Sequence, residues 1–405
     1  MKIINKYKYS VFSGSNYLVE LALILKYFFN FIFFKKNYIL KFEKIASKLY
    51  FKKFAYSFGS GRMALYAGLK ALNIKQDDEI IIAPYTCVVV INAILYNKAI
   101  PVFSDINLDD FNINLDKAIE KITNKTKAIY IQHTFGNYLN YDKIIQTCKE
   151  KNIFIIEDSA HFFPKNKVLH SDITINSSDP SKIYNTYIGG FIFTDDISIS
   201  NKLKKIQEKS NSFNIFQKFR IIISFCSTLL LNLPYLYILT NYINSILQKM
   251  GFYFNYNDED MTKLPRDNYP YKIFNFIALI GISQLNQIES NLKYRSALVK
   301  EIDDILQIYK YKGTPPPLLR YSFLVSDRSK FEELFKEYKL SIWFTTLFEG
   351  RNNNYKKIFY NIGSCPNAEY ASKYIVNFPT HKNININRLI KAIKKNKKEI
   401  LKLII

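Results

Sequence analysis

Between Phe54 and Asp195 short continuous apolar runs alternate with segments of helical period, and this alternation restricts the fold more than any other feature of the sequence. Glu79–Ala83 (EIIIA), Ile100–Phe103, Ala128–Gln132 and Ile153–Ile156 are too short for helices and apolar on both faces, as strands inside a parallel sheet are. Helical period separates them at Met63–Leu72, Val88–Tyr96, Leu115–Ile122 and Tyr141–Lys151. Strand–helix–strand repeats of this kind are βαβ units, so the expected fold is α/β, with a mostly parallel sheet flanked by helices. At 405 residues the chain is long enough for one large or two ordinary domains. Beyond Lys202 the pattern changes to an apolar insert over residues 205–256, closed by the polar, acidic stretch Asn257–Asp260. A long helix over Ile273–Leu306 then opens a second unit, with a strand at Leu319–Val325, a helix at Ser329–Tyr338 and a terminal helix at Asn387–Lys394. The expected division is an N-terminal extension (residues 1–50), a large domain (51–265) that includes the insert, and a smaller C-terminal α+β domain (266–405).

Composition removes whole classes. A hydrophobic content of 48% against 22% charged excludes disorder, and 12 Gly with 12 Pro exclude collagen-like or linker-dominated chains. The four cysteines (Cys87, Cys148, Cys226 and Cys365) show no ligand spacing. Neither a disulfide framework nor a metal site is expected, and the chain reads as reduced and intracellular. Subtracting 34 acidic from 57 basic side chains leaves +23, a balance that favours polyanions such as nucleic acid, anionic membrane or phosphorylated substrates. No recognition motif accompanies the charge, so nucleic acid is not an expected partner.

No secretory signal opens the chain, since its first ten residues are polar and basic and no cleavage site follows. Two apolar segments stand out, Leu18–Phe34 and Ile221–Leu239. The second approaches the roughly 20 residues that span a bilayer, but Asn232 and Pro234 interrupt it. It reads as a core or dimer-interface helix, as a membrane-surface hairpin with basic flanks, or as a span.

Three sites carry chemistry. Ser60-Gly61-Arg62 opens a helix, and the free amides of a helix N-terminus bind phosphate, although Ser-Gly there is more often only a cap. Glu157-Asp158 ends a buried strand, where ligand chemistry in open α/β sheets takes place. Asp158 is placed either to hold a protonated ring nitrogen or to cap the next segment, and His161 follows it closely. Ser177-Ser178-Asp179-Pro180-Ser181-Lys182 puts a lysine in a loop, which is either solvated or a Schiff-base lysine, with Ser177 able to donate to a phosphate.

In this order and spacing the three sites resemble the DegT/StrS sugar aminotransferases, fold-type-I enzymes that use pyridoxal phosphate (PLP). Further stretches are similar to that family: Asp77–Thr86, Asn92–Ile94 with Pro101–Ile106, His133–Gly136, Gly281–Leu285, and Cys365–Glu369 through Asn377–His381. The resemblance covers about residues 54–200 and 265–395. It implies that Lys182 bonds the cofactor and then carries the proton, while Asp158 pairs with its ring nitrogen. Gly61 and Arg62 amides with the Ser177 hydroxyl would hold the phosphate, and His161 would lie near the ring oxygen. Where the family places an aromatic on the ring this chain has Cys87, which leaves Tyr85 as the expected aromatic contact. Arg62 replaces a threonine. Asn268 stands two residues early for the asparagine that reaches a neighbouring subunit's phosphate.

The resemblance implies an aminotransferase moving an amino group, usually from glutamate, onto a keto-sugar attached to a nucleoside diphosphate, for surface polysaccharide or related glycan synthesis. The alternatives are a PLP-dependent sugar dehydratase, whose relatives replace the lysine by histidine, and a non-catalytic membrane-associated relative. A homodimer in the cytoplasm is expected, with attachment to the inner face of a membrane through Phe12–Phe34 and Phe219–Leu247 as a second reading.

Overall fold

The computed structural model describes residues 19–20, 22–24, 37–165, 167–230, 237–254, 256, 269–336, 338, 340–350, 355–382 and 386–405. The first part of the chain runs α1 (Tyr38–Leu49), β1 (Phe54–Phe58), α2 (Gly61–Ala71), β2 (Glu79–Ile82), α3 (Val88–Tyr96), β3 (Ile100–Phe103), α4 (Leu115–Glu120) and β4 (Thr126–Gln132). It continues through α5 (Asp142–Glu150), β5 (Phe154–Asp158), β6 (Ile173–Ser177), β7 (Gly190–Thr194) and α6 (Ile197–Lys209). Then follow α7 (Ile215–Leu230), α8 (Tyr237–Lys249), α9 (Asn275–Asn286), α10 (Ile288–Leu306), β8 (Arg320–Leu324), α11 (Arg328–Leu334), α12 (Pro366–Tyr374), β9 (Ile375–Pro379) and α13 (Ile386–Leu403).

Seven strands form one sheet in the order β1-β7-β6-β5-β4-β2-β3, and β7 alone runs against its neighbours β1 and β6. This is the mostly parallel α/β sheet expected from the apolar runs. The chain steps outward from β2 to β3 and returns to place β4 on the other side of β2. Such a reversal opens a crevice at the carboxyl ends of the strands. Gln132 and Asp158, the last residues of β4 and β5, lie side by side there in parallel register. Tyr85–Cys87 follow β2 and Ser177 ends β6, so the two strand ends supply further residues to the same edge.

Side chains along β5 show the two-residue alternation of a strand. Asp158 turns to one face, and Glu157 turns to the other, where it accepts from Tyr141 Oη and Ser171 Oγ (3.0 Å each) and pairs with His133 Nε2 at 2.7 Å. Two similar-to-family stretches meet at Asp105, whose carboxylate accepts the Asn367 and Ala368 amides (3.2 and 3.0 Å) and thereby caps α12.

β8 and β9 form a two-stranded antiparallel sheet, with its own core of Leu298, Ile302, Phe323, Phe331, Phe378 and Ile393. The helix expected over Ile273–Leu306 is two helices, α9 and α10, broken at Gln287. There the Gln287 amide side chain turns back onto the Ser283 carbonyl (3.2 Å).

In the insert, Ile221, Phe225 and Leu229 of α7 are buried, and the Phe225 ring sits edge-on to Phe276 of α9. Ile215, Phe216 and Phe219 of α7, Tyr242 of α8 and Met250 just after it are exposed. Residues 231–236, and all of Leu18–Phe34 except 19–20 and 22–24, lie outside the described residues. Among the described residues no helix is long and apolar enough to cross a membrane.

Candidate active site

A cavity of about 470 Å³ opens at the carboxyl edge of the sheet, within the usual range for small-molecule sites. Gly61, Arg62, Cys87, Asp158, His161, Ser177 and Lys182 all line it. The structure therefore brings together seven of the nine residues singled out from sequence.

At one end, Ser60 caps α2 by accepting the Met63 amide (3.4 Å), and the helix begins at Gly61, two residues earlier than its apolar period suggests. The first amides of a helix have no partner within it. The approach of β6 is close enough that a Cβ on Gly61 would come within 2.9 Å of Ser177 Cβ and 3.2 Å of the Asn176 carbonyl. Arg62 pairs with Asp179 (3.7 Å), and its guanidinium lies 5.5 Å from the Tyr256 ring centroid.

The loop carrying Lys182 is fixed on both sides. The Lys182 amide donates to Asp179 O (3.0 Å), Ser178 Oγ meets Thr186 Oγ1 (2.6 Å), and Asn291 donates to Ile183 O (2.6 Å). Burial lowers the Lys182 pKa from its ordinary value, opposed by Cys87, Asp158 and Asp179. More of the lysine is thus the neutral amine that nucleophilic work needs.

Asp158 is buried, and each of its oxygens accepts one hydrogen bond, Oδ2 from Tyr130 Oη (2.6 Å) and Oδ1 from the Ala160 amide (2.8 Å). Burial raises its pKa, while these two donors and then Lys182 and His133 pull it down. His161 Nδ1 accepts the Phe135 amide (3.3 Å), and its ring is stacked between Phe135 and Trp343. Burial and two nearby cations hold it well below the usual histidine range, so it stays neutral with its hydrogen on Nε2.

One expectation changes. Tyr85 is fully buried and does not line the cavity. Its hydroxyl donates to Phe344 O (3.0 Å) and its ring packs among Phe111, Phe135 and Phe344, so the hydrogen bond and these rings hold it inward. The aromatic side chains that do line it include Trp343, Phe344 and Tyr130. Trp343 is held by Asn377, which accepts its amide (3.3 Å) and donates to its carbonyl, and Arg320 lies 4.8 Å from its ring. Asn268 lies outside the described residues. Sequence reading missed Tyr130 and Trp343, since a tyrosine in a strand and a lone tryptophan each read as core.

Comparison with known proteins is consistent with this site. The family model described as the DegT/DnrJ/EryC1/StrS aminotransferase family matches residues 30–232. An uncharacterized Methanocaldococcus jannaschii protein, MJ1066, is 27% identical over 380 residues, 89% of each chain. GDP-perosamine synthase of Escherichia coli O157:H7 is 34% identical over 173 residues, 42% of this chain and 48% of that protein. Among solved structures, the E. coli GDP-4-keto-6-deoxy-D-mannose-3-dehydratase with bound hydrated PLP superimposes with a TM-score of 0.71 at 20% identity, over 96% of this chain and 98% of that one.

The residues fit PLP. The glycine-bounded cradle at the start of α2 beside Ser177 suits its phosphate, a buried carboxylate suits its ring nitrogen, and a half-buried lysine with depressed basicity suits its aldehyde.

Proposed function

The chain belongs to the DegT/DnrJ/EryC1/StrS aminotransferase family, whose cofactor is PLP. From that membership we propose that it moves an amino group, from glutamate, onto a keto-sugar carried on a nucleoside diphosphate, for surface polysaccharide or a related glycan. The observation that carries this reading is the convergence of Lys182, Asp158 and the Gly61–Ser177 cradle on one cavity. Names of relatives such as GDP-perosamine synthase support a nucleotide-linked sugar, and the +23 balance suits a diphosphate.

PLP supplies the electron sink when bound. The Gly61 and Arg62 amides with the Ser177 hydroxyl hold its phosphate. Asp158 would keep a proton on its ring nitrogen, because Tyr130 and the Ala160 amide each donate to one of its oxygens and favour the charged form against burial, and its oxygens still have lone pairs to offer. Lys182 provides the amine and moves the proton at its Nζ. Neutral His161 donates from Nε2 toward the ring, and Trp343 and Phe344 keep water out. In this reading residues 51–265 carry the cofactor and 266–405 close over it.

The same reading makes the protein a homodimer in the cytoplasm, with the exposed apolar side chains of α7 and α8 as a subunit contact. Mass photometry that finds only monomer would overturn that contact. Flotation of the protein with liposomes would assign the face to a membrane surface.

The function is tested by incubating the PLP-loaded full chain with glutamate and a panel of keto-sugar nucleotides. An amino-sugar nucleotide detected by mass spectrometry, with the keto acid of glutamate released, is the expected result. Bound PLP that ignores glutamate while the sugar loses water would replace transamination by dehydration.

A further inference from the structure

The hydroxyl that meets the cofactor-side carboxylate belongs to a residue the proposed reaction leaves unused. Tyr130 is two residues before the end of β4, in register with Ile156, so its side chain shares the sheet face of Gln132 and Asp158 one step below them. It is 2% exposed and lines the cavity. Its Oη lies 2.6 Å from Asp158 Oδ2, short for a neutral hydroxyl and typical of one donating to a charged oxygen.

We propose that Tyr130 is a positioning residue for Asp158, fixing the rotamer of the carboxylate and tempering its basicity so that a proton stays on the cofactor's ring nitrogen. The proposal rests on Asp158 being the partner of that nitrogen.

Two bases compete for one proton, the ring nitrogen and Asp158. A buried carboxylate is a stronger base than a solvated one, and burial is the largest influence on Asp158. Left alone, it would draw the proton off the nitrogen and weaken the electron sink. Three groups besides Tyr130 stabilise the Asp158 anion: the Ala160 amide, Lys182 from its loop, and His133 beyond β4. Tyr130 is the side chain in direct hydrogen-bond contact. Its own proton is secure, because burial and the neighbouring Asp158 and Cys87 push its pKa well above the ordinary tyrosine value. Tyr130 therefore remains a donor at every working pH and does not compete as an acid.

The test loads the full chain with PLP labelled at the ring nitrogen and reads the nitrogen NMR signal in the wild type, Tyr130→Phe, a variant carrying a ring-fluorinated tyrosine at position 130, and Asp158→Asn. Thermal melting is recorded beside each to confirm folding. The wild type is expected near the protonated position and Asp158→Asn near the unprotonated one. Tyr130→Phe should move part of the way toward the unprotonated position, a change of about tenfold in the nitrogen-to-carboxylate proton ratio. The fluorinated tyrosine keeps the shape and donates more strongly, so it should move the signal the other way. If Tyr130→Phe and the fluorinated variant both coincide with the wild type while Asp158→Asn differs, Tyr130 is only packing and the proposal fails alone. If Asp158→Asn also coincides with the wild type, the assignment of Asp158 fails, and the proposal with it.

Discussion

Lys182 Nζ lies 5.2 Å from the ring centroid of Trp343, two residues 161 positions apart in the chain that the fold brings to one wall of the cavity. Trp343 is the single tryptophan of the protein, so its emission reports this wall without interference. Adding PLP to the cofactor-free protein is expected to quench that emission saturably, with the same midpoint as the visible absorbance change. A cofactor absorbance change with no fluorescence response would place the ring away from Trp343.

Gly61 sits where α2 meets β6 with no room for a side chain. Gly61→Ala would bring a Cβ within 2.9 Å of Ser177 Cβ, and overpacking of that size costs about 1–3 kcal/mol. Because the displaced groups are those assigned to the phosphate, PLP affinity is expected to fall by roughly tenfold to a hundredfold, beside a melting temperature lowered by about a few degrees. An absorbance titration measures the first and calorimetry the second. Unchanged affinity would remove this cradle from the cofactor site.

Gly281 explains why a glycine opens the Gly281–Leu285 stretch of α9. A Cβ there would lie 2.1 Å from the Phe42 ring of α1, so the two helices touch through the missing side chain. Gly281→Ala should destabilise the protein by about 1–3 kcal/mol in urea unfolding, and Phe42→Leu in the same chain should recover part of it. Additive losses in the double variant would contradict the contact.

How much of this was legible in the sequence follows from distance along the chain. Strand positions were readable because Ile80–Ile82 and Ile129–Ile131 are buried on both faces, which leaves a continuous apolar signature. Gly61, Asp158 and Ser177 were readable because each stands at an end of a helix or strand, and Lys182 because it follows β6 in a loop, but their roles were legible only through the family resemblance. The break at Gln287 was not, because no proline or glycine marks it and the apolar period runs through. Tyr85 was misassigned because its direction depends on Phe344, far away in sequence, which accepts its hydroxyl. Trp343 and Tyr130 were missed for the same physical reason. Their partners Asn377 and Arg320, or Asp158, are set by tertiary contacts that periodicity does not encode.

His381 carries an acid-sensitivity that can be measured. It is buried, and burial together with Arg295 and Arg320 lowers its pKa from 6.5 to about 3. Between those values the unfolded chain holds a proton that the folded chain refuses, so stability rises with pH across this window and is lost as pH falls through it. His381→Gln should flatten the slope of unfolding free energy between about pH 4 and about pH 6 by up to 1.4 kcal/mol per pH unit, one proton's worth. An unchanged slope would mean that folded His381 takes up the proton.

The assignment of Lys182 is tested most directly by reducing the PLP-loaded protein with borohydride and mapping the modified peptide by mass spectrometry. A single pyridoxyl mass on the peptide containing Lys182, absent from Lys182→Ala, is expected. Modification at another lysine with Lys182 untouched, or bound cofactor that cannot be fixed to any lysine, would contradict it.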